Sequence, residues 1–216
     1  MLRRLILITY NGGPSNYLPG VEKDRIAYLD YFKSKTGGLY SDNEIIEFHN
    51  STKLTCTFLS TKIQLLVSRE YVDFLTIVFC GHGYGLSNGD TVMVLGPSLS
   101  CSVMNLSRIC QNVTTLLISD CCRASLLRVA KPYVLGSLFN VAFAARVGEF
   151  ALEDKEGGIY TQHLIKTARI KQFAKKNYSI SNVHAQAAVK VYTSTGKQQR
   201  PEIMGPCIDS IGFSFK

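Results

Sequence analysis

The stretch DFLTIVFCGHG, residues 73–83, decides how this chain folds. It is a continuous apolar run that ends in a glycine-flanked histidine, and such runs are typical of β-strands covered on both faces. Runs of the same kind occur at RLILITY, residues 4–10, and at VTTLLISD, residues 113–120. Stretches with apolar residues at helical spacing, such as VEKDRIAYLDYFKSK at residues 21–35, separate them.

Strand and helix patterns alternate along the whole chain. We expect strands at residues 4–10, 43–50, 73–81, 90–96, 113–120 and 140–147, and helices at residues 21–35, 58–70, 105–112, 157–174 and 180–193. Such alternation implies right-handed crossovers and a mostly parallel sheet. The sequence therefore predicts one α/β domain whose mostly parallel sheet of about six strands is covered by helices on both faces.

The composition is that of a folded protein with a sizeable core. Of the 216 residues, 46% are apolar and 19% are charged, and no apolar run approaches the roughly 20 residues that cross a bilayer. The N-terminal apolar run is too short for a signal peptide. We therefore expect a cytoplasmic protein with no membrane association. The seven cysteines are odd in number and scattered, which predicts mostly free, buried thiols.

The net charge of +8 raises the question of a nucleic-acid partner. A local excess of basic residues falls on the helix predicted at 157–174 and just beyond it: Lys166, Arg169, Lys171, Lys175 and Lys176. No aromatic residues interleave with them as a binding surface would require. We interpret them as a solvated helix face and expect no nucleic-acid partner, although the charge would equally suit an acidic protein.

Two predicted strands end on reactive side chains. Residues 73–81 lead into His82, and residues 113–120 lead into Cys121 and Cys122. Sites in open α/β sheets form at the carboxyl ends of the strands, so these groups meet if the strands are parallel neighbours. An imidazole beside a thiol suits nucleophilic catalysis. A zinc site from these residues and Cys80 is the alternative, but adjacent cysteines are poorly spaced for tetrahedral ligation, and we expect no metal.

Four segments in the same order resemble the caspase and metacaspase superfamily of cysteine peptidases. They are LPGVEKDRIAYLDYF (18–32), FCGHGYG (79–85), SDCCRAS (119–125) and FNVAFAARVGEFALEDKEGGIYTQHLIK (139–166). The resemblance implies a caspase-like three-layer α/β sandwich and a cysteine endopeptidase. We expect a single peptidase domain over residues 1–216, without a prodomain.

The resemblance also implies catalytic roles. Aligning Asp120 and Arg123 with the family's nucleophile loop makes Cys122 the nucleophile and Cys121 a small buried side chain. His82 would complete a Cys-His dyad, and the Gly83 and Cys122 amides would stabilise the oxyanion. No third catalytic group is expected. Arg123 resembles the caspases and Asp120 the metacaspases, so the loop does not assign the chain to either branch.

The resemblance to metacaspases implies a specificity for basic residues. Asp24 and Asp120 would line the S1 pocket, which receives the residue before the scissile bond (P1), so that Arg or Lys is preferred there. Two alternatives stay open: a catalytically silent caspase-fold interaction protein, and another branch of the clan with a different P1 preference. The expected partners are protein or peptide substrates and a regulatory protein subunit.

We expect no cofactor and leave activation by calcium or dimerisation open. Self-cleavage is a further hypothesis, because basic residues lie between the nucleophile and the next strand (Arg123, Arg128 and Lys131) and flank the loop that follows it (Arg146 and Lys155).

Overall fold

The computed structural model of the chain describes residues 1–125, 134–173 and 179–213, without the side chains of residues 171–173. In chain order the strands are β1 (Arg3–Tyr10), β2 (Ile45–His49), β3 (Phe74–Gly81), β4 (Gly83–Gly85), β5 (Thr91–Gly96), β6 (Leu99–Ser102), β7 (Thr114–Asp120), β8 (Phe139–Phe143), β9 (Glu153–Asp154), β10 (Gly157–Gly158) and β11 (Glu202–Met204). The helices are α1 (Gly20–Lys33), α2 (Cys56–Arg69), α3 (Val103–Ile109), α4 (Ile159–Phe173) and α5 (Ile180–Ser194).

The main sheet has six strands in the order β2-β1-β3-β7-β8-β11. The first five run parallel, and β11 pairs antiparallel with β8 at one edge. The predicted α/β class and the mostly parallel six-stranded sheet are therefore confirmed. The sixth strand was predicted at the wrong place, because Glu202–Met204 is only three half-buried residues and leaves no readable pattern.

The stretch predicted as a strand at residues 90–96 does form one, but outside the main sheet. It is β5, the middle strand of an antiparallel sheet in the order β4-β5-β6. Periodicity detects that a segment is extended and buried but carries no information about which strand it pairs with. The three-stranded sheet follows His82 directly, and it therefore holds the backbone on the far side of that histidine.

Two apolar layers lie on the two faces of the main sheet. Successive residues of a strand point to opposite faces, so Leu5 and Leu7 pack in one layer and Ile6 and Ile8 in the other. The first layer is covered by α1, α4 and α5, and the second by α2, α3 and the β5–β6 hairpin. This is the predicted arrangement of helices on both faces.

The helix α1 turns a carboxylate towards the core. Asp24 lies on the same face as Val21 and Tyr28, one turn after the first and one turn before the second, and all three are buried. Helical spacing alone therefore places an ionisable side chain where apolar residues belong. Burying an ionised carboxylate is costly, so packing of the core alone does not account for an aspartate at this position.

The cysteines follow the predicted pattern with one exception. Cys56 at the start of α2 and Cys101 in β6 form a disulfide, whereas the other five cysteines are free. The expectation of free thiols is therefore wrong for this pair. Their separation of 45 residues shows no sequence pattern, since only the packing of α2 against β6 brings them together.

The composition raised the questions of a nucleic-acid partner and of a membrane, and the structure bears on both. Lys166 and Arg169 are exposed on α4, as expected for a solvated helix face, while the side chains of Lys171, Lys175 and Lys176 lie outside the described residues. Within the described part of the chain, no helix is both long and apolar enough to cross a membrane.

Candidate active site

The strands β3 and β7 bring the two reactive segments to one edge of the sheet. They are parallel neighbours, and Cys80 at the end of β3 pairs with Asp120 at the end of β7. His82 and the two adjacent cysteines follow these positions immediately. The two strand ends therefore lie side by side, as the sequence predicted, although the catalytic roles stay predictions.

The two adjacent cysteines have different environments. Cys121 is 2% exposed, and its Sγ lies 3.3 Å from Ser119 Oγ. Burial raises the pKa of the Cys121 thiol to about 12. Cys122 is half-buried, and its thiol donates to the Ala151 carbonyl over 3.6 Å. Of this pair, Cys122 is the thiol that a substrate can reach.

His82 is oriented by a backbone carbonyl that the sequence did not predict. Its Nε2 lies 2.5 Å from the Asn16 carbonyl oxygen. Because a carbonyl oxygen only accepts, Nε2 carries the proton and Nδ1 is left free to act as a base. The Asn16 carbonyl thus fixes the orientation of the His82 ring. No sequence signal could have found it, since every residue type supplies the same carbonyl.

The loop that carries Asn16 requires a glycine beneath it. Gly12 has φ +89°, and a Cβ there would lie 2.6 Å from His82 Nε2 and would also clash with the Asn16 carbonyl. The turn is closed by the Gly13 N–H, which donates to Asn16 Oδ1 over 2.7 Å. Any larger residue at position 12 would push this loop away from the imidazole.

Gly83, the predicted oxyanion donor, lies between the nucleophile strand and β5. A Cβ on it would lie 2.5 Å from Cys121 Sγ and 2.9 Å from the Val92 carbonyl oxygen. The close packing explains why a glycine follows His82 and why a small residue occupies position 121. It sets the Gly83 backbone directly beside the nucleophile loop, and its role as an oxyanion donor stays a prediction.

Asp24 and Asp120 converge, although they are 96 positions apart in the sequence. They are 3% and 7% exposed. A Cβ on Gly158 would lie 2.6 Å from Asp120 Oδ2 and 3.0 Å from Asp24 Oδ2, so both carboxylates approach the same backbone position. Asp24 Oδ1 accepts from the Gly158 N–H over 2.9 Å, and Asp120 Oδ2 accepts from Thr161 Oγ1 over 2.6 Å.

Burial of this acid pair disfavours its charge. Burial and the charge of Asp120, opposed by the Gly158 N–H, together raise the pKa of Asp24 from 3.8 to about 8. Burial also raises the pKa of Asp120 to about 6, against the hydrogen bonds from Thr161. Among the residues that the structure describes, neither carboxylate has a cationic partner. The pair is therefore suited to a cation supplied from outside.

A third carboxylate, Glu153, was not predicted. It lies in β9, opposite Gly158 in β10, and a Cβ on Gly20 would lie 2.6 Å from its Oε2. The pKa of Glu153 is raised by burial and lowered by the Gly20 N–H and by His82. Its position is set by the pairing of β9 with β10. Strands of two residues are too short to be detected from a sequence pattern.

Arg123 links the nucleophile loop to the rest of the fold. It is fully buried, and its side chain donates to Thr91 Oγ1 over 2.8 Å and to Glu202 Oε2 over 2.5 Å. Its guanidinium carbon lies 3.7 Å from the centre of the Phe143 ring. This residue therefore braces the loop after Cys122, and its burial contradicts the hypothesis that the chain cleaves itself after Arg123.

The zinc alternative finds no support in the ligand geometry. Cys121 and Cys122 direct their sulfur atoms at different partners, Ser119 and Ala151. In the described part of the chain, no three His, Cys, Asp or Glu side chains are grouped to hold a metal ion.

A groove of about 320 Å³ runs between α1 and α4 and has Asp24 in its wall. Glu156, Lys166 and Arg169 also line it, whereas Asp120, Glu153 and Cys122 do not. It is therefore distinct from the edge of the sheet that carries the thiol.

The sequence profile of the caspase domain family matches residues 3–208. No curated protein matches the chain.

Proposed function

Because this chain belongs to the caspase domain family, whose members are cysteine peptidases, we propose that it is a cysteine endopeptidase that cleaves proteins after arginine or lysine. The observation that carries the proposal is the buried pair of carboxylates, Asp24 and Asp120, which has no ion-pair partner among the described residues. The half-buried thiol of Cys122 follows Asp120 by two residues. Protein or peptide substrates follow from the family. A regulatory protein subunit and control by calcium remain open parts of the proposal.

The proposed reaction is acyl transfer by a Cys-His dyad. The Cys122 thiol passes its proton to His82, and the thiolate attacks the scissile carbonyl. The Gly83 and Cys122 amides stabilise the oxyanion. Collapse of this intermediate breaks the C–N bond, and the leaving amine takes the proton from His82. Water then hydrolyses the thioester, with His82 as the base, and returns the thiol.

The Asn16 carbonyl supports this sequence of steps. It holds the proton on His82 Nε2, so Nδ1 is the nitrogen that accepts the thiol proton. As the imidazole becomes positively charged, the carbonyl dipole stabilises the charge. The same hydrogen bond fixes the orientation of the imidazole ring. His82 lies between two glycines, which by themselves would not restrain the ring.

The Cys122 thiol is protonated before substrate binds, and a basic substrate would reduce the electrostatic part of the cause. Burial raises the pKa of Cys122, and the charges of Asp120 and Glu153 raise it further. A P1 guanidinium or ammonium group between those carboxylates would neutralise them. Binding of the correct side chain would therefore favour the thiolate as well as position the scissile bond.

The same electrostatics decide the P1 preference. An aspartate at P1 would add a third negative charge to a pocket that already holds a repelling pair. An arginine makes charge-assisted hydrogen bonds, each contributing about 1.5–3 kcal/mol. Its planar fork can bridge two carboxylates, so Arg is expected to exceed Lys.

A catalytically silent interaction protein is the second candidate, and one observation favours it. Cys122 and His82 each hydrogen bond to a backbone carbonyl, and no hydrogen bond joins the two within the described residues. Catalytic hydrogen bonds are often formed only when substrate binds. An activity measurement therefore distinguishes the peptidase from the silent interaction protein.

The test uses matched fluorogenic peptides that end in Arg, Lys, Asp or Asn, with and without calcium. We expect cleavage of the Arg and Lys peptides, loss of all cleavage and of covalent labelling by a peptidyl ketone in Cys122→Ala, and retention of both in the matched control Cys121→Ala. Asp120→Ala should lower kcat/KM for the Arg peptide by at least a power of ten, on the order of 2–5 kcal/mol.

Two results would contradict the proposal in different ways. An Asp peptide cleaved as fast as the Arg peptide would refute the assignment of Asp24 and Asp120 to S1 but leave the dyad untouched. An inert wild-type protein that no ketone probe labels would favour the silent interaction protein.

A further inference from the structure

The positive charge of the chain is concentrated in one segment. Residues 157–201 contain eight Lys and Arg residues and neither Asp nor Glu, and the formal net charge of all 216 residues is +8. The remainder of the chain is therefore balanced. The segment contains α4 and α5, which help to cover one face of the main sheet. The net charge is thus a property of that side of the molecule and not of its whole surface.

Hydrogen bonds between α4 and α5 hold the cations of the two helices on one surface. Lys190 Nζ donates to Thr167 Oγ1 over 3.1 Å, and His163 Nε2 lies 3.2 Å from Ser194 Oγ. Burial lowers the pKa of His163, and the charges of Lys190 and Lys166 lower it further. A positively charged surface therefore extends across both helices.

Lys166 and Arg169 carry charge that no ion pair neutralises in the described part of the chain. Both are exposed, and a spacing of three makes them neighbours on α4. On α1, by contrast, Arg25 pairs with Glu22 and Glu47. Like charges that are neighbours on a helix destabilise it slightly, so an acidic partner would relieve a repulsion that the fold itself leaves in place.

The groove between α1 and α4 adjoins these two cations and is partly apolar. Its volume is about 320 Å³, and Lys166 and Arg169 line it together with Ala27, Ile165 and Ile170. Ile170 is 57% exposed. The volume falls at the lower end of the range of ligand sites. An apolar side chain that entered this groove would bring its neighbours in the same segment within reach of the two cations.

We propose that the α1–α4 groove and the cations of α4 beside it form a docking surface for an acidic segment of a partner protein. The segment places an apolar side chain against Ala27 and Ile165, and its carboxylates bind Lys166 and Arg169. The surface does not include Cys122 or His82, so this interaction does not depend on catalysis.

A protein segment fits the surface better than a membrane or a nucleic acid does. The groove is concave and admits a single side chain, whereas a bilayer presents a flat layer of headgroups. Glu156 also lines the groove and would repel the phosphates of a lipid or a nucleic acid. A peptide can place an uncharged or basic residue beside that carboxylate.

The test measures fluorescence anisotropy of a labelled short peptide in which glutamate and leucine alternate, titrated with the full chain. The peptide contains no Arg or Lys, so the proposed peptidase activity would not destroy it. We expect binding that weakens as salt is added. The Kd should rise about tenfold or more in Lys166→Glu/Arg169→Glu, because charge reversal replaces two attractions by two repulsions. The matched control is Lys53→Glu/Arg69→Glu. Both control residues are exposed, and Arg69 ends α2 on the other side of the sheet, so the Kd should stay within twofold.

A second pair of variants tests the groove without changing charge. Ala27→Phe fills the groove from α1 and should also raise the Kd about tenfold, whereas Ile26→Phe changes the neighbouring exposed position, which does not line the groove, and should leave it unchanged. A peptide with serine in place of leucine should bind more weakly to the parent. Circular dichroism establishes that each variant is folded.

Four results would overturn the proposal. They are an absence of binding by the parent, an unchanged Kd in the folded Lys166→Glu/Arg169→Glu or Ala27→Phe, an equal loss in the Lys53→Glu/Arg69→Glu control, and equal binding of the serine peptide. Tighter binding to phosphatidylserine vesicles or to a DNA duplex than to the peptide, lost in Lys166→Glu/Arg169→Glu, would assign the surface to a membrane or a nucleic acid instead. Because none of these measurements uses peptide cleavage, their failure leaves the proposed function intact.

Discussion

Replacing Asp24 by asparagine should stabilise the protein, and much more at high pH than at low pH. Burial, followed by the charges of Asp120, Glu153 and Asp154, raises the pKa of Asp24 from 3.8 to about 8. An asparagine keeps the acceptor for the Gly158 N–H, which donates over 2.9 Å. Its amide group can donate towards the neighbouring carboxylate instead of repelling it.

The sign follows from the proton balance. The native state binds the Asp24 proton more tightly than the unfolded chain does, so this group stabilises the fold below pH about 4. That stability is lost progressively as the pH rises to about 8. At about 1.4 kcal/mol per pKa unit the loss is at most about 6 kcal/mol. Since the variant must still bury an amide, we expect a gain of about 2–3 kcal/mol at pH 8.

The measurement is thermal unfolding, followed by circular dichroism at pH 5 and pH 8. For a chain of this size 1 kcal/mol corresponds to about 2–4 °C, so Asp24→Asn should raise the Tm by about 4–12 °C at pH 8 and by much less at pH 5. Asp30→Asn is the matched control, because Asp30 is exposed on the same helix. A Tm gain equal at both pH values, or no gain at pH 8, would refute the buried acid pair.

Three further outcomes are expected. His82→Ala should abolish peptide turnover with little change in Tm, because the ring is half-buried and hydrogen bonds to a loop carbonyl; a large loss of Tm would indicate a structural histidine. Arg123→Met should destabilise the fold by on the order of 3 kcal/mol in chemical denaturation, since it removes buried charge-assisted hydrogen bonds; an unchanged midpoint would contradict this. Self-cleavage should occur after the exposed Arg146 or Lys155, and identical intact masses of the active protein and Cys122→Ala after long incubation would exclude it. Arg128 and Lys131, the other sites of that hypothesis, lie outside the described residues.

How much of the fold the sequence determines depends on how local the pattern is. The apolar runs of β1, β3 and β7 predicted both the parallel sheet and the edge at which His82 and the cysteine pair meet. Strand periodicity records burial, and a parallel sheet is buried on both faces, so these strands are readable without knowledge of their partners. The resemblance added Asp24 and Asp120 as a pair, and the structure brings them to one backbone position.

Other features were decided only by the tertiary structure. The sixth strand is too short to show a period, and β5 carries the period of a strand but pairs in a separate sheet. The disulfide joins Cys56 and Cys101 across 45 residues because α2 packs against β6. Pairing partners are properties of the assembled fold, and nothing in a single strand or helix encodes them.

The residues of the candidate site likewise include some that the sequence predicted and some that only the tertiary structure revealed. His82 and the cysteine pair could be predicted from the apolar strands that they follow. The resemblance to the caspases and metacaspases selected Cys122 and the pair Asp24 and Asp120. The Asn16 carbonyl could not be predicted, since a backbone group has no identity in the sequence, and Glu153 could not, since its position depends on a pairing of two-residue strands. The sequence by itself determined which chemical groups are present at the edge of the sheet. The tertiary structure decided which of them face one another, because those distances are set by loops and short strands whose conformations depend on the packing of the whole domain.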